Sequence, residues 1–390
     1  MSFRRRNVGL TGSTRPDGSS TAQVQAKENI VLPGVRPSPN DGRLTTSTGT
    51  SSLDGLLAGH SGLVLGSSLL IEESGTTDYA GALLRFYAAE GLVQGHHVHV
   101  IGLPEHWGRE LPGVVGDSEK KDQPASRGEK MKIAWRYESL GQFGAGPSAR
   151  ERSKPSSPQE GAANAASQSI PISFCHTFDL TKRLVHPSSA KIEFLPLGFN
   201  PSLSPFSAIL ERLKGSLANS SPDSVHRIVV PSLLSPAIYP SHASQPQNIL
   251  EFLHSLRALY ATYSNRVTAV FSLPVSLYPR SSGLVRWIEL LNDGVLELSP
   301  FPHSAEGDRA TRGPDGATED PPQGLLQIHR LPVLHERGSG TRTSETDWTF
   351  TLSRRKFVIK PFNLPPVEGD TDAQQAEGPS SKNNKADLEF

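Results

Sequence analysis

Apolar and polar positions along segment 44–95 follow two different periods, and the change between them predicts a strand between two helices. Leucines at helical spacing follow Ser51 and Ser52, which are favourable N-cap residues, and they predict a short first helix. Residues 68–72 contain a continuous apolar run, which is typical of a strand covered on both faces. From Tyr79 onward, apolar residues return every three or four positions and predict a long helix. The order strand, glycine-containing loop and helix is the layout of a phosphate-binding P-loop.

The rest of the chain repeats this alternation of strands and helices. Strands are predicted over 97–101, 170–180, 226–230, 267–273 and 295–298, and helices over 205–219, 247–263 and 283–291. Two final strands, over 325–334 and 348–362, are predicted to be antiparallel neighbours. Strands that alternate with helices predict an α/β fold, in which one mostly parallel sheet carries helices on both faces.

Composition divides the chain into one folded domain and several polar segments. A length of 390 residues suggests two or three domains, but only 35% of the residues are hydrophobic, and the 35 Gly and 32 Pro are unevenly spread. The segments predicted to be disordered are an N-terminal arm over 1–42, polar insertions at about 117–130, 142–169 and 303–322, and a tail over 366–390. A single domain over 43–365 remains.

Charge and cysteine content exclude several classes of protein. The chain has 39 basic and 39 acidic residues, so RNA contacts would need a local patch or a surface shared with partners. Cys175 is the only cysteine, which excludes an internal disulfide and a cysteine-rich zinc site. No apolar run approaches the roughly 20 residues of a membrane span, and the first residues lack a signal-peptide core. An intracellular, soluble chain with no membrane contact is therefore expected.

The P-loop-like segment has lost the residues that carry P-loop chemistry. A working loop needs a lysine for the β- and γ-phosphates and a Ser or Thr hydroxyl for magnesium. Asp78 stands in the place of the lysine, and Tyr79 in the place of the hydroxyl. Because Glu72 and Glu73 precede the loop, three carboxylates are predicted to face the position of a triphosphate. What remains is a degenerate nucleotide loop formed by Gly75, Thr76, Thr77, Asp78 and Tyr79.

A second element of such an ATPase is also missing. In such an ATPase, a later buried strand ends in an acidic residue that orients magnesium and water. The corresponding strand here is 226–230, and it is followed by Pro231 and Ser232 instead. Since two independent elements are lost, the sequence predicts a chain without catalytic residues and without a nucleotide or other cofactor in the usual mode.

Two other groups of residues could indicate a metal site and a catalytic nucleophile, but a structural role is the better interpretation of both. Four histidines between positions 96 and 106 suggest a metal site, but cysteine and carboxylate partners are missing, so solvated or hydrogen-bonded histidines are the better interpretation. Cys175 beside His176 suggests a nucleophile, but neighbouring residues of a strand point to opposite faces, which favours a packed thiol. No metal site is predicted.

Two basic clusters are candidate RNA contacts. Lys132 and Arg136 alternate with aromatic residues, and such an arrangement can stack on single-stranded RNA and neutralise it. The alternative, which we favour, is that these aromatics pack in a core or a subunit interface. Arg354, Arg355 and Lys356 form the densest basic cluster of the folded part, where a solvated hairpin turn is the favoured alternative to RNA contact.

Several long segments of the chain resemble one protein family. They are STGTSSLDGLLAG, SSLLIEESGTTDYAGALLRFYAAEG, MKIAWRYESL and FCHTFDLTKRL. They are similar to the Elongator complex protein 4 family, also called the PAXNEB family, over roughly 43–365 once the polar insertions are set aside. The resemblance implies a RecA-like domain without working Walker motifs. It also implies a hetero-oligomeric ring with Elongator subunits 5 and 6, a ring that binds tRNA and supports modification of its wobble uridine (U34).

The resemblance makes a non-catalytic structural subunit of the cytoplasm and nucleus the first interpretation. An alternative is a nucleotide hydrolase or nucleotide-binding subunit of the RecA/KaiC type. Asp78 and the missing acid after residue 230 oppose it in the usual mode, but a site completed by a neighbour at a ring interface stays open. A free-standing RNA-binding module is a third interpretation, which the zero net charge opposes.

Overall fold

The computed structural model describes residues 32–115, 173–302, 311–312, 318–332, 347–353 and 355–362, and its elements largely follow the predicted alternation. The helices are α1 (Ser51–Leu56), α2 (Tyr79–Val93), α3 (Ser207–Asn219), α4 (Pro246–Thr262) and α5 (Gly283–Leu291), with 3-10 helices at Glu105–Glu110 and Ser241–Ser244. The strands are β1 (Val35–Pro37), β2 (Leu44–Thr46), β3 (Leu63–Val64), β4 (Ser68–Glu73), β5 (His97–Ile101), β6 (Pro112–Val114), β7 (Phe178–Arg183), β8 (Lys191–Leu195), β9 (His226–Val230), β10 (Val267–Pro274), β11 (Gly294–Pro300), β12 (Thr311–Arg312), β13 (Thr318–Glu319), β14 (Gly324–Arg330), β15 (Trp348–Leu352) and β16 (Phe357–Pro361).

A nine-stranded sheet forms the centre of the fold, in the order β16-β15-β14-β11-β4-β10-β9-β5-β8. The strands from β11 to β8 in this order run parallel to one another. β14, β15 and β16 extend the sheet on one side as antiparallel strands. The strand that precedes the degenerate loop, β4, lies between β10 and β11 and is buried throughout. The predicted α/β class with a mostly parallel sheet is confirmed.

Helices cover both faces of this sheet, as the sequence predicts. Leu69 and Ile71 of β4 pack in one core with α2, and Leu70 packs in a second core with α3, α4 and α5. One strand serves both cores because successive strand residues point to opposite faces. The strand that leads into the degenerate loop therefore lies inside the sheet, with a core on each side. In the described part of the chain, no helix combines the length and apolarity that crossing a membrane requires.

Arg227 of β9 is fully buried and ties the segment before α1 to α2. Its guanidinium donates to the backbone oxygens of Ser47 at 2.8 Å and Tyr87 at 3.0 Å, and to Thr46 Oγ1 at 2.6 Å. Asp54 of α1 accepts from the Ser47 hydroxyl at 2.6 Å. Buried polar groups are stable when they are hydrogen-bonded in this way, so this network fixes α2 and with it the loop that precedes the helix.

The ordered domain begins earlier than the sequence predicts. The predicted disordered arm spans 1–42, but β1 lies inside it and pairs with β2 in antiparallel register. The hydroxyls of Thr45 and Thr46 add bonds at 3.0 Å to the backbone oxygens of Arg36 and Gly34. A three-residue strand that is partly exposed leaves no hydrophobic period in the sequence, which is why composition alone missed it. Residues 1–31 lie outside the described residues.

Three predicted segments differ in detail from the structure. Residues 173–177 form a bend, so the strand predicted over 170–180 begins only at β7. The segment 348–362, predicted as one strand, is the hairpin of β15 and β16, which turns at Ser353, whose N–H donates to Lys356 O at 2.9 Å. The predicted antiparallel pairing of the final strands is confirmed for β14 and β15. Inside the predicted insertion 303–322, β12 pairs with β13. The insertions at 117–130 and 142–169 and the tail 366–390 lie outside the described residues.

Candidate functional site

The carboxylate of Glu73 occupies the N-terminus of α2. Glu73 Oε1 accepts hydrogen bonds from the backbone N–H of Tyr79 at 2.8 Å and from the Thr77 hydroxyl at 2.7 Å, and Oε2 accepts from the N–H of Ala80 at 3.0 Å. The first N–H groups of a helix have no partner within the helix, and P-loop proteins use them to bind phosphate. In this chain an anionic side chain of the preceding strand takes that place.

The setting of Glu73 is that of a buried anion held by donors. The residue is 7% exposed, and burial raises the pKa of its carboxyl. The hydrogen bonds from Thr77, Ala80 and Tyr79 act in the opposite direction and partly offset burial. Since all three partners donate, the ionised carboxylate satisfies them directly. Burial, followed by the charge of Glu73, raises the pKa of the Tyr79 phenol.

Asp78 does not reach into the place of a phosphate. Its side chain is 60% exposed, and Oδ2 accepts a hydrogen bond of 2.7 Å from Arg85 Nη2 on the following turns of α2. A Cβ atom at position 81 would collide with the Asp78 carboxylate, so Gly81 makes room for this conformation. Asp78 therefore supplies an exposed ion pair where a working loop supplies a lysine.

The loop between β4 and α2 is held by the neighbouring strands. Gly75 has a φ of +94°, a conformation that glycine adopts readily, and its N–H donates to Ser276 Oγ at 2.7 Å. The N–H of Ser74 donates to Leu298 O at 3.0 Å. In P-loops such backbone N–H groups cradle phosphate, but these two point to protein acceptors.

Tyr79 connects the loop to the hairpin of β15 and β16. Its ring packs edge-on against Phe350, with the centroids 4.8 Å apart, and Phe350 stacks on Phe357 at 5.6 Å. The side chain at the place of the magnesium-binding hydroxyl is therefore part of an aromatic contact, which stabilises through its area and its edge-to-face geometry.

The structure places the degenerate loop beside the end of β9, so the two positions that have lost their ATPase residues are neighbours. An open depression is lined by Glu73, Gly75, Thr77, Asp78, Gly81, Ser232 and residues 272–274. Ser232 follows β9, and its N–H donates to Ser272 Oγ at 2.7 Å. The segment after β9 thus lies beside the degenerate loop, where a P-loop ATPase places its second acidic residue. Within the described residues that line the depression, Glu73 and Asp78 are the carboxylates, and both are engaged.

Glu72 does not face the loop, which corrects the prediction of three carboxylates at this place. Neighbouring strand residues point to opposite faces, so Glu72 lies on the side of β4 away from Glu73. There Arg280 Nε approaches Glu72 Oε2 at 3.0 Å, and Glu289 and Glu297 lie nearby. Burial, followed by the charge of Glu289, raises the pKa of Glu72 to about 8.

The candidate RNA contacts are described only in part. Lys132, Arg136 and Arg354 lie outside the described residues. Arg355 and Lys356 are exposed at the turn between β15 and β16, where Arg355 Nε is 3.6 Å from Asp179 Oδ2. This is the hairpin turn that the sequence favours, and RNA contact by the cluster stays a prediction.

Cys175 has the features of a packed thiol. It is half-buried, its Sγ lies 3.6 Å from His176 O, and burial raises the pKa of the thiol to about 12. A thiol with so high a pKa is a poor nucleophile at neutral pH, since the thiolate is the reactive form. The bend at 173–177 replaces the strand on which the sequence argument relied.

The histidines of β5 are hydrogen-bonded, which is the interpretation that the sequence favours. His99 Nδ1 lies 3.2 Å from Glu193 Oε2, and His99 Nε2 lies 3.0 Å from His226 Nδ1. The ring of His97 stacks on His226 with centroids 4.5 Å apart. Burial, followed by the charge of Lys191, lowers the pKa of His97 to about 4. Burial, followed by the charges of His99 and His97, lowers the pKa of His226 to about 2.

Known proteins match the chain over most of its length. The family model described as PAXNEB protein matches residues 28–390. The chain is 34% identical over 352 residues to Elongator complex protein 4 of Schizosaccharomyces pombe, with 86% of this chain and 89% of that protein covered. The proteins of the same name from Saccharomyces cerevisiae and Homo sapiens are each 28% identical over 88% of this chain, which corresponds to 79% and 82% of their own lengths.

A solved structure shares a distant similarity. It is a KaiC-like protein from the hyperthermophilic archaeon Pyrococcus horikoshii OT3, at 15% identity and a TM-score of 0.39, covering 81% of this chain and 99% of that one. The three sequence relatives are matched over 79% to 89% of their own lengths. The chain belongs to the PAXNEB protein family.

Proposed function

We propose that this chain is a non-catalytic structural subunit of the Elongator complex. The relatives that it matches at 34% and 28% identity are named Elongator complex protein 4, and this supports membership of the same complex. The proposed partners are Elongator subunits 5 and 6, which would form a hetero-oligomeric ring with this chain, and the remaining subunits of the complex. Head-to-tail contacts between related domains close into a ring when the rotation between neighbours allows it.

In this proposal the ring binds tRNA and supports modification of its wobble uridine, in the cytoplasm and nucleus. The chain has 39 basic and 39 acidic residues, so the isolated subunit should attract RNA weakly. A binding surface composed of several subunits removes that difficulty, since each subunit then needs to supply only a local basic patch. The exposed turn with Arg355 and Lys356 is the candidate patch within the described residues.

The observation that carries the non-catalytic part is the position of the Glu73 carboxylate. It holds the N–H groups of Tyr79 and Ala80, at 2.8 and 3.0 Å, that a nucleotide phosphate would need. A phosphate would have to displace a buried anion that accepts three hydrogen bonds, and it would find Asp78 nearby in place of a lysine. A nucleotide hydrolase of the RecA/KaiC type would need a lysine where Asp78 stands, and it would need the N–H groups at the start of α2 to be free for phosphate.

The test of this proposal is reconstitution. The chain is expressed alone and together with Elongator subunits 5 and 6, and tRNA affinity is measured at several salt concentrations. We expect co-purification of the three subunits as one assembly, tRNA binding by the assembly with strong salt dependence, and weak binding by the isolated chain. An isolated chain that binds tRNA as tightly as the assembly, or failure of the three subunits to associate, would contradict the proposal.

A further inference from the structure

Three side chains with metal-binding atoms converge on the side of β4 that faces away from the degenerate loop. Glu72 of β4, Glu297 of β11 and His329 of β14 each offer one ligand atom, and the three atoms lie within 4.8 Å of one another. The three strands are adjacent in the sheet, and Glu72 and Glu297 are register partners. The sheet itself therefore brings these residues together, although they are far apart in the sequence.

The carboxylate of Glu72 is the unusual member of this group. Its side chain is fully buried, and neither oxygen accepts a hydrogen bond from the described residues. Its neighbour of opposite charge is Arg280, whose Nε is 3.0 Å from Oε2 but lies outside hydrogen-bonding geometry. Buried carboxylates are normally paired and hydrogen-bonded, or they coordinate a metal ion. One carboxylate oxygen of Glu72 lies within 4.8 Å of the ligand atoms that Glu297 and His329 offer.

One guanidinium serves more carboxylates than it can neutralise. Arg280 donates to Glu289 Oε1 at 2.8 Å and lies 3.6 Å from Glu297 Oε2, in addition to its contact with Glu72. Three carboxyl groups share one arginine, and even with Glu72 protonated the other two leave an excess of negative charge when His329 is neutral. The Arg280 side chain is 34% exposed, so it can keep its bond to Glu289 and turn outward. Glu72, Glu297 and His329 would then be left to share another cation.

We propose that Glu72, Glu297 and His329 bind a divalent transition-metal ion of the Zn²⁺ class. Two carboxylates and one imidazole suit zinc, whereas magnesium and calcium prefer ligand sets made of oxygen. His329 Nε2 and Glu297 Oε2 now share a hydrogen bond of 2.7 Å, which a bound ion would replace as the two atoms move to the roughly 3.3 Å that separates ligand atoms on a tetrahedral zinc. The ion would join β4, β11 and β14 and support the antiparallel side of the sheet. The proposal does not depend on the proposed function, because the loop lies on the other side of β4.

The sequence gives no sign of this site. No metal site is predicted from the sequence, because the histidines that lie close together in the chain lack the cysteine and carboxylate partners of a closed site. Here each ligand comes from a different strand, and only the register of the sheet makes them neighbours.

The experiment measures zinc binding by the full chain, in complex with its co-purifying subunits if it is insoluble alone. The protein is stripped with a chelator and dialysed against Zn²⁺, and bound metal is determined by elemental analysis. We expect one zinc ion at this site, and an affinity at least about tenfold lower in Glu297→Gln and His329→Gln. Both side chains are partly exposed, at 16% and 22%, so these variants should fold, which circular dichroism checks. His254→Gln, on the exposed side of α4, is the matched control and should bind zinc like the unchanged chain.

Arg280→Gln distinguishes the proposal from its main rival, in which Arg280 is the permanent counter-ion of the cluster. The proposal expects this variant to bind zinc at least as tightly as the unchanged chain, because a competing positive charge is gone. Three results would overturn it: no zinc on the unchanged chain, equal affinity in Glu297→Gln, His329→Gln and the unchanged chain, or zinc binding that appears only in Arg280→Gln. A hundredfold excess of Mg²⁺ that displaces the zinc would also count against the proposed ligand set.

Discussion

The carboxylate of Glu73 lies 3.0 Å from the backbone nitrogen of Ala80, so the end of α2 that would receive a phosphate is filled by the chain itself. The bond joins the last residue of β4 to the first turn of α2, across the loop that resembles a P-loop. The fold thus keeps the shape of a nucleotide site while the site's strongest donors are satisfied internally. The predictions below test this arrangement and the structure that holds it.

Replacing Glu73 with Ala should destabilise the chain and open an anion site. The N–H groups of Tyr79 and Ala80 lose their acceptor, and loss of a helix cap costs about 0.5–2 kcal/mol. Denaturant unfolding measures this cost, and Glu211→Ala on the exposed face of α3 is the control. Inorganic phosphate should raise the melting temperature of Glu73→Ala more than that of the unchanged chain. Equal stability of Glu73→Ala and Glu211→Ala would show that the carboxylate does not cap α2.

Replacing Arg227 with Met should lower the free energy of unfolding much more than replacing Glu73 with Ala. The change keeps much of the side-chain volume but leaves Ser47 O and Tyr87 O without their buried donor. Each buried acceptor that is left without a donor costs about 1–3 kcal/mol. Lys214→Met on the exposed face of α3 is the matched control and should change the unfolding free energy by less than about 0.5 kcal/mol. A similar small effect of both variants would mean that the network does not hold α2 in place.

The free energy of unfolding should depend on pH because of His226. Burial, and then the charges of His99 and His97, lowers the pKa of His226 to about 2, while an unfolded histidine titrates near about 6.5. Below about pH 6.5 the unfolded chain binds a proton that the folded chain does not. Stability should therefore fall as the pH drops, by up to about 1.4 kcal/mol per pH unit from this residue alone.

Comparison with His226→Gln isolates this effect, because the other titrating groups are common to both proteins. The free energy of unfolding is measured between pH 7 and pH 5. The difference between the two proteins should change across this range, with the steeper loss in the unchanged chain. Parallel curves would show that His226 binds its proton in the folded state as readily as in the unfolded state.

Much of the candidate site could be predicted from the sequence, because the apolar run of β4, the loop glycine and the helical period of α2 are local signals. Asp78 and Tyr79 could likewise be recognised as unsuitable for a nucleotide, since the argument needs only their place in the loop. The role of Glu73 could not be predicted, because it depends on a side chain that reaches forward past the loop to the N–H group of Tyr79, six residues later in the sequence. The wrong placement of Glu72 was avoidable, since the alternation of side chains along a strand already separates it from Glu73.

The basic turn between β15 and β16 should contribute to tRNA binding. In the assembled ring, replacing Arg354, Arg355 and Lys356 with Ala should weaken tRNA binding and reduce its salt dependence. Each lost phosphate contact lowers the slope of log affinity against log salt by about 0.7–0.9. Lys214→Ala on α3 is the control for a change of charge elsewhere. An unchanged slope in the triple variant would remove this turn from the RNA-binding surface.

The most direct test of the non-catalytic assignment is to assay ATP turnover and wobble-uridine modification side by side in assembled rings. The variants are Asp78→Ala, Asp78→Lys and, as a control, the exposed Asp223→Ala. The Asp78 side chain is largely exposed, so loss of its ion pair with Arg85 should cost less than about 1 kcal/mol and leave the ring intact. We expect unchanged turnover and modification in Asp78→Ala, and no new hydrolysis in Asp78→Lys, because Glu73 still fills the site and magnesium still lacks its ligands. Loss of ATP turnover in an intact Asp78→Ala ring, with Asp223→Ala unaffected, would show that this subunit contributes to catalysis and would contradict the account.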